Sequence, residues 1–572
     1  MGGLTQTKVM TYRNTLSPWL LAMPLVLAVF FFFLLPYGAS FVPLVRVPLV
    51  RSNAFGTGES SSLWKNTALL DITFFTFKQA FLSVLVALAL GLPGAWLIGS
   101  KRSRGTPLFR ILTAIPFAMP SILVVLGFVL FFGNSGWVNK LAGTLLGARE
   151  GPIRILYRPG AIILAHGFYN FPLVIRLAGD GLARVRRTYA PAAASLGASP
   201  FMTALTVLFP LSLPAIMSAA LLVFLYSFTS FAVVLVLGGG PASTTLAVEI
   251  YRYARIFLNY HSAAVLALLE TLIAVSVFIV YAVIGRKSRE VKTGIAELDI
   301  DERGGSVPLK ITMILYSVVI AFFILGPLVS IALESFLYQP SRSAAQVLSF
   351  RWWSSLGLSS RGDTLLPALL RSLALAFCSS TLACVLAILA AGSLAINEGR
   401  TGNHVRSNLT RFFAAAPVVS SGIVLGFGWL IVYGRKSSPL ALIILHCVIA
   451  LPFAFNFIHE GFRSLPAETM NAATVLGAGP VRSIVTVALP LSAGRIRSAW
   501  GFAAALSLGE LNIVMMLGME NWETLPLYIY RAVGAYRYGT ACAAGTLLML
   551  CCAACFLLSD YTAGKNSNRK SF

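Results

Sequence analysis

Long apolar runs recur along this chain at a length close to one membrane crossing, separated by short segments rich in Lys and Arg. A bilayer core is about 30 Å thick and a helix rises about 1.5 Å per residue, so roughly 20 apolar residues make one span. That ruler predicts twelve spans, at 17–38, 74–99, 108–132, 160–182, 211–237 and 262–285, then 311–335, 367–396, 412–433, 439–461, 491–517 and 539–559. Only 11% of the residues are charged and 57% are hydrophobic, with a mean hydropathy of +0.81. Soluble domains carry roughly 25% charged residues, so soluble, disordered and secreted disulfide-framework architectures are excluded. The expected fold class is all-α integral membrane.

The excess of 44 Lys and Arg over 20 Asp and Glu, +24 overall, would suggest nucleic acid in a soluble chain. Here the basic residues lie mostly between the apolar runs, a pattern of topology and lipid contact, so lipid is an expected partner and nucleic acid is not. An even number of spans puts both termini on one side. The loops on that side hold more Lys and Arg, which places both termini in the cytoplasm. The first apolar run exceeds the about 7–15 residues of a signal-peptide core and reads as a retained helix. The seven cysteines fall in apolar stretches; Cys551, Cys552 and Cys555 cluster without His or acidic neighbours, so no metal site is expected.

The chain is internally duplicated. A shift of 280 aligns 164–216 with 444–496 without a gap, giving 15 identities over 53 positions. Among them His166 meets His446, Pro172 meets Pro452, Gly181 meets Gly461, Gly197 meets Gly477 and Pro210 meets Pro490. Each Gly or Pro imposes a backbone requirement, so these coincidences outweigh shared apolar composition. A polar stretch, 286–310, carries five of the 20 acids and a Gly-Gly pair. It is expected as a cytoplasmic linker between a first half, 1–285, and a second, 311–572. Six spans per half make the repeats parallel, related by a pseudo-two-fold axis along the membrane normal with a pathway between them.

The best-matched part of the repeat lies between the fourth and fifth spans of each half. One copy reads Pro191-Ala-Ala-Ala-Ser-Leu-Gly197-Ala-Ser-Pro200 and then Val207-Leu-Phe-Pro210; the other reads Asn471-Ala-Ala-Thr-Val-Leu-Gly477-Ala-Gly-Pro480 and then Val487-Ala-Leu-Pro490. An Ala-rich helix offers a closely approachable surface, Gly permits a sharp turn, and Pro begins the next helix. Such an element suits docking into a partner's groove.

These residues resemble the EAA loop of ABC importer permeases: Glu-Ala-Ala, three residues, Gly, nine residues, Ile, one residue, Leu-Pro. Both copies keep the spacing, through Ala192-Ala193 and Ala472-Ala473 to the final Pro. They depart at the Glu, replaced by Pro191 and Asn471, at the Ile, replaced by Val207 and Val487, and at the Leu, replaced by Phe209 in the first copy. Residues 226–246 and 506–538 extend the resemblance to the fused two-half permeases of bacterial thiamine and thiamine pyrophosphate importers, with ferric iron permeases as close competitors. The resemblance implies a bacterial inner-membrane channel subunit served by a periplasmic or extracellular solute-binding protein. It also implies two copies of a cytoplasmic ABC ATPase that hold ATP and Mg, with motion passed through the loops 192–200 and 472–480.

The chain itself lacks a G-x-x-x-x-G-K-[ST] phosphate loop; the stretch from Gly94 to Ser100-Lys101 has the wrong order. It offers no catalytic triad or paired-carboxylate site either, so it is not expected to be an enzyme. Charges inside a membrane cost several kcal/mol unless paired or hydrated, which singles out Glu270 and Glu510. Glu510 occupies the position of Ser230 in the first half. A cationic solute would use such a carboxylate together with aromatic groups such as Tyr226 and Trp429. The competing reading pairs the two acids with Lys78, Arg371 or backbone groups, and makes the aromatics packing groups. His166 and His446 read as interhelical hydrogen-bond groups. The external segments 238–261 and 518–538 are candidates for touching the binding protein. A secondary transporter without an ATPase would also have parallel repeats and intramembrane acids, but has no need for the duplicated loops.

Overall fold

The computed structural model describes residues 19–45, 67–100, 109, 112–113, 119–147, 152, 154–238, 240, 243–289, 307–339, 346–354, 365–398, 404–434, 438–519 and 522–560. Among them ten helices are long and apolar enough to cross a membrane, or eleven when one bent pair is taken as a single span. The first half contains α1 (Trp19–Leu44), α2 (Thr67–Ser100), α3 (Ser121–Phe132), α4 (Trp137–Leu146), α5 (Pro159–Ser195), α6 (Pro200–Phe228), α7 (Ala232–Leu237), α8 (Leu246–Tyr251) and α9 (Tyr260–Arg289). The second contains α10 (Val307–Glu334), α11 (Leu365–Glu398), α12 (His404–Ala415), α13 (Gly422–Tyr433), α14 (Pro439–Arg463), α15 (Ala467–Val475), α16 (Val481–Leu491), α17 (Ala493–Gly509), α18 (Asn512–Leu517), α19 (Leu525–Gly534) and α20 (Tyr538–Asp560). A two-stranded antiparallel ribbon, Leu337–Tyr338 with Val347–Leu348, follows α10.

Several expected spans are interrupted. Within 108–132, Phe109, Leu112 and Thr113 are helical, and α3 starts afresh at Ser121 after Pro120, which holds an extended ψ of 136°. In 412–433 the chain bends by 102° before α13. The fifth span starts earlier than expected, at Pro200, and breaks at 229–231 before α7. The eleventh breaks at Glu510-Leu511, leaving α17 with 17 residues and α18 with 6. Mean hydropathy is blind to such breaks, because it averages over a whole span and a break takes only two or three residues. Of the expected linker, 290–306 lies outside the described residues; α9 and α10 enter it from either side.

Proline explains a second regularity. Five-residue π-helical turns at Phe30–Leu34, Ala204–Leu208 and Ile484–Ala488 each end two residues before Pro36, Pro210 or Pro490. A proline ring has no N–H and collides with the carbonyl one turn earlier, and a widened turn relieves both problems.

The two halves exchange their first helices. In the first half, a Cβ on Gly127 of α3 would lie 2.9 Å from Pro327 Cβ of α10, and Phe131 and Phe132 meet Phe322 and Phe323 at 5.2 and 5.9 Å between ring centroids. The mirror contact sets Gly428 of α13 against the Pro36 carbonyl of α1, with Trp429 at 6.0 Å from the Phe32 ring. Tyr316 donates to the Leu90 carbonyl at 2.6 Å, and Tyr433 to the Phe31 carbonyl at 3.0 Å. Only glycine lets the backbones come this close.

Each half also carries a buried polar knot joining its second, fourth and fifth spans. In the first, Gln79 Nε2 donates to the Ser227 carbonyl at 2.9 Å and its Oε1 lies 3.0 Å from His166 Nδ1. In the second, the Ser507 hydroxyl bridges Ser379 and His446 Nδ1, both at 2.9 Å. The two histidines are therefore interhelical hydrogen-bond groups.

Candidate functional site

The two Ala-Gly loops fold alike. In the first, the Gly197 N–H reaches the Ala194 carbonyl at 3.0 Å and the Ala198 N–H reaches the Ala193 carbonyl at 3.1 Å. That pair is the Schellman helix terminus, and Gly197 takes the left-handed φ of +80° it requires. In the second, the Ala478 N–H reaches the Ala473 carbonyl at 3.0 Å and Gly477 has φ +83°. Nothing lies within 4 Å of a Cβ on either glycine, so backbone conformation and not space demands Gly here. Ser199 then caps the next helix, its hydroxyl accepting the Met202 N–H at 3.3 Å, and Pro200 fills the first turn.

The burial pattern repeats as well. Ala193 and Ala473 face inward, while Ala192 and Ala472 are exposed. Beside each glycine stands an uncovered leucine, Leu196 at 89% exposure and Leu476 at 86%, with Phe201, Leu205, Val481 and Val485 exposed behind them. Pro191 lies inside α5, Asn471 inside α15, and Pro480 begins the next helical turn.

The loops differ in how they are held. In the first half α5 runs without interruption for 37 residues, about 55 Å, well beyond a bilayer's core. The second half instead ends α14 at Arg463, turns at Ser464-Leu465-Pro466, and restarts as α15.

Between the halves lies a cavity of ≈ 150 Å³, lined by Met119, Pro120, Ser121 and Tyr169 from the first half and by Phe502, Gly509, Glu510 and Phe556, among others, from the second. A Cβ on Gly509 would sit 3.0 Å from Pro120, so the break before α3 and the break before α18 meet here. Glu510 Oε1 accepts the Ile513 N–H at 3.2 Å and would lie 3.4 Å from a Cβ on Gly422, the first residue of α13. Two helix N-termini thus surround this carboxylate, and their partial positive charge offsets its burial.

The remaining candidates are dispersed. Ser230 occupies the equivalent break in the first half. Tyr226 does not line the cavity. Trp429 packs against Tyr433, ring centroids 4.3 Å apart, in the contact with α1. Glu270 is 1% exposed next to Ser421, and neither of its oxygens has a hydrogen-bond partner. Neither acid pairs with Lys78 or Arg371; Arg371 lies over the Trp522 ring at 5.6 Å. Sequence reasoning missed Pro120, Tyr169 and Phe502 as cavity residues. A shift of 301, which aligns Ile122, Gly127 and Gly133 with Ile423, Gly428 and Gly434, carries the signal that would have found the paired breaks.

The duplicated architecture has a counterpart in known proteins. The family described as binding-protein-dependent transport system inner membrane component matches residues 91–290 and again 383–565. The chain belongs to this family. It is 27% identical over 528 residues to the thiamine transport system permease protein ThiP of Brucella abortus (strain 2308), covering 91% of this chain and 92% of the relative. The Escherichia coli K12 protein of the same name is 26% identical over 516 residues, with 88% and 91% covered. The spermidine/putrescine transport system permease protein PotB of Escherichia coli K12 is 30% identical over 220 residues, which are 38% of this chain and 77% of that one. The chain is accordingly a multi-pass ABC importer permease in which two permease halves are fused.

Proposed function

We propose that this permease imports thiamine or its pyrophosphate, driven by two copies of a separate ABC ATPase seated on the two Ala-Gly loops. Both termini, like the loops, lie in the cytoplasm, and a solute-binding protein delivers cargo to the opposite face. The observation that carries the coupling is the pair of loops with matched Schellman termini, each presenting one uncovered leucine on the same side of the molecule. A pseudo-two-fold pair of apolar knobs is what two identical partner subunits would grip. ATP and Mg belong to those subunits, and the permease contributes motion instead of chemistry.

Solute identity rests on two supports: the full-length similarity to permeases named for thiamine transport, and the carboxylate with aromatic neighbours in the cavity. The thiazolium of thiamine is a cation, and Glu510 with Tyr169, Phe502 and Phe556 is a suitable environment for one. At ≈ 150 Å³ the cavity is smaller than the about 300 Å³ at which small-molecule sites usually begin, so import requires the halves to part. Polyamines are the second reading, favoured by the partial similarity to PotB, since they too are cationic.

The test is reconstitution of the chain with its ATPase and binding protein in lipid vesicles, followed by uptake of radiolabelled thiamine, spermidine and ferric iron. Thiamine uptake that needs both partners is the expected result. Uptake of spermidine or iron alone would overturn the solute, and uptake without any ATPase would overturn the coupling.

A further inference from the structure

On the side of the molecule opposite the two loops, the described residues of segments 238–261 and 518–538 are largely helical. Each folds inward as a short helix, α8 or α19, whose first N–H is held by a hydroxyl of the half's second span: Leu246 by Thr76 Oγ1 at 3.2 Å, Leu525 by Ser372 Oγ at 2.7 Å. A shift of 279 superposes Thr245 on Thr524, Tyr251 on Tyr530 and Arg252 on Arg531.

The arginines here are not alike. Arg252 pairs with Glu249 at 2.5 Å and Arg531 with Glu523 at 3.0 Å, each within its own half. Arg255 has no carboxylate within 4 Å among the described residues. Its guanidinium crosses to the second half and lies on Gly518, so closely that a Cβ built there would clash with Nη2. Gly518 caps α18 with a left-handed φ of +58°, and the last carbonyls of α18 lack intrahelical donors. A cation is the natural group at such an end.

We infer that Arg255 is the latch that holds the two halves together on the side away from the coupling loops, and that Gly518 is the notch it enters. The latch and Glu510 are tied to one element: Glu510 precedes α18 and Arg255 sits at its end. Parting the halves to admit solute lifts the guanidinium off Gly518, and α18 passes that movement to Glu510. Arg255 is thus a positioning residue for the alternation and does not touch the solute in the closed state. The inference rests on the proposed assignment of the loops to the ATPase side.

Two readouts separate failure of the latch from failure of that assignment. The first needs no partner: nitroxide labels at Ile256→Cys and Ala535→Cys, in full-length chain lacking its native cysteines, report the distance between halves in lipid. Arg255→Ala and Gly518→Ala should each lengthen and broaden that distance, and Arg255→Lys should restore part of the closed population. The second is ATP hydrolysis by the reconstituted complex. Arg255→Ala should raise hydrolysis in the absence of binding protein by about tenfold, reducing the stimulation the binding protein adds. Unchanged distances in both alanine variants would overturn the latch. Longer distances with hydrolysis still fully dependent on binding protein would overturn its part in alternation while leaving the contact.

Discussion

The two Ala-Gly loops share a terminus but not a mounting. The first is the rigid extension of α5, continuous from Pro159 to Ser195, so any push on Leu196 moves a whole membrane span. The second hangs from α14 through the turn at Ser464-Leu465-Pro466, and α15 can tilt before it pulls on its span. Under the proposed coupling, a single fused chain gives two like ATPase subunits one stiff lever and one hinged lever. Alternation need not be symmetric to be coupled, and the first half should carry more of the stroke.

The sharpest way to break this comparison is at the shared feature. Gly477→Val forces a β-branched residue into φ +83° and should abolish uptake while leaving membrane insertion intact, as checked by transport assay and membrane fractionation. Normal uptake would remove the Schellman turn from the mechanism. Next in size, Leu196→Asp should lower uptake and ATPase co-purification by about tenfold or more, and Leu476→Asp by clearly less, because a hinged loop can re-seat. Equal losses would show that the hinge is irrelevant.

Between the halves, Glu510→Gln should raise the KM for thiamine uptake several-fold with little change in kcat, whereas Ser230→Ala should change neither. An unaltered KM would leave Glu510 as only a helix-terminal acceptor for Ile513. Pro466→Ala should let α14 and α15 approach the continuity of α5, slowing amide exchange across 464–470 and shifting coupling by no more than a few-fold. Unchanged exchange would mean that the turn is set by packing and not by Pro466. The smallest effect is expected from Glu270→Leu. A shift of 278 places Leu548, fully buried, at the position of Glu270, so the leucine fits the repeat and removes a carboxyl group without partners. Thermal stability should hold or rise with uptake preserved; lost uptake would make Glu270 functional.

Much of this was legible in the chain itself. Twelve apolar runs, the shift of 280 and the glycine and proline coincidences foretold a duplicated helical membrane protein. They also picked out Gly197 and Gly477, because a left-handed turn can be served cheaply only by glycine. Gly181 and Gly461 answer a different demand, close approach: a Cβ on Gly181 would clash with Ala215, and one on Gly461 would lie 3.0 Å from Arg495 Cβ of the crossing helix. Proline at 210 and 490 fixed where the π turns Ala204–Leu208 and Ile484–Ala488 would fall.

What remained for the tertiary structure was everything that depends on one segment meeting a distant one. The exchange of α1 and α10 rests on Gly428 against Pro36 and Gly127 against Pro327, pairs separated by hundreds of residues with no local signature. The meeting of Pro120 with Gly509, the isolation of Glu270 and the crossing of Arg255 to Gly518 are of the same kind. Local backbone demands are written in residue type, since steric limits on φ act on each residue alone. Contacts between spans are decided by how apolar surfaces of nearly equal hydropathy pack, and there only shape, expressed in three dimensions, distinguishes one partner from another.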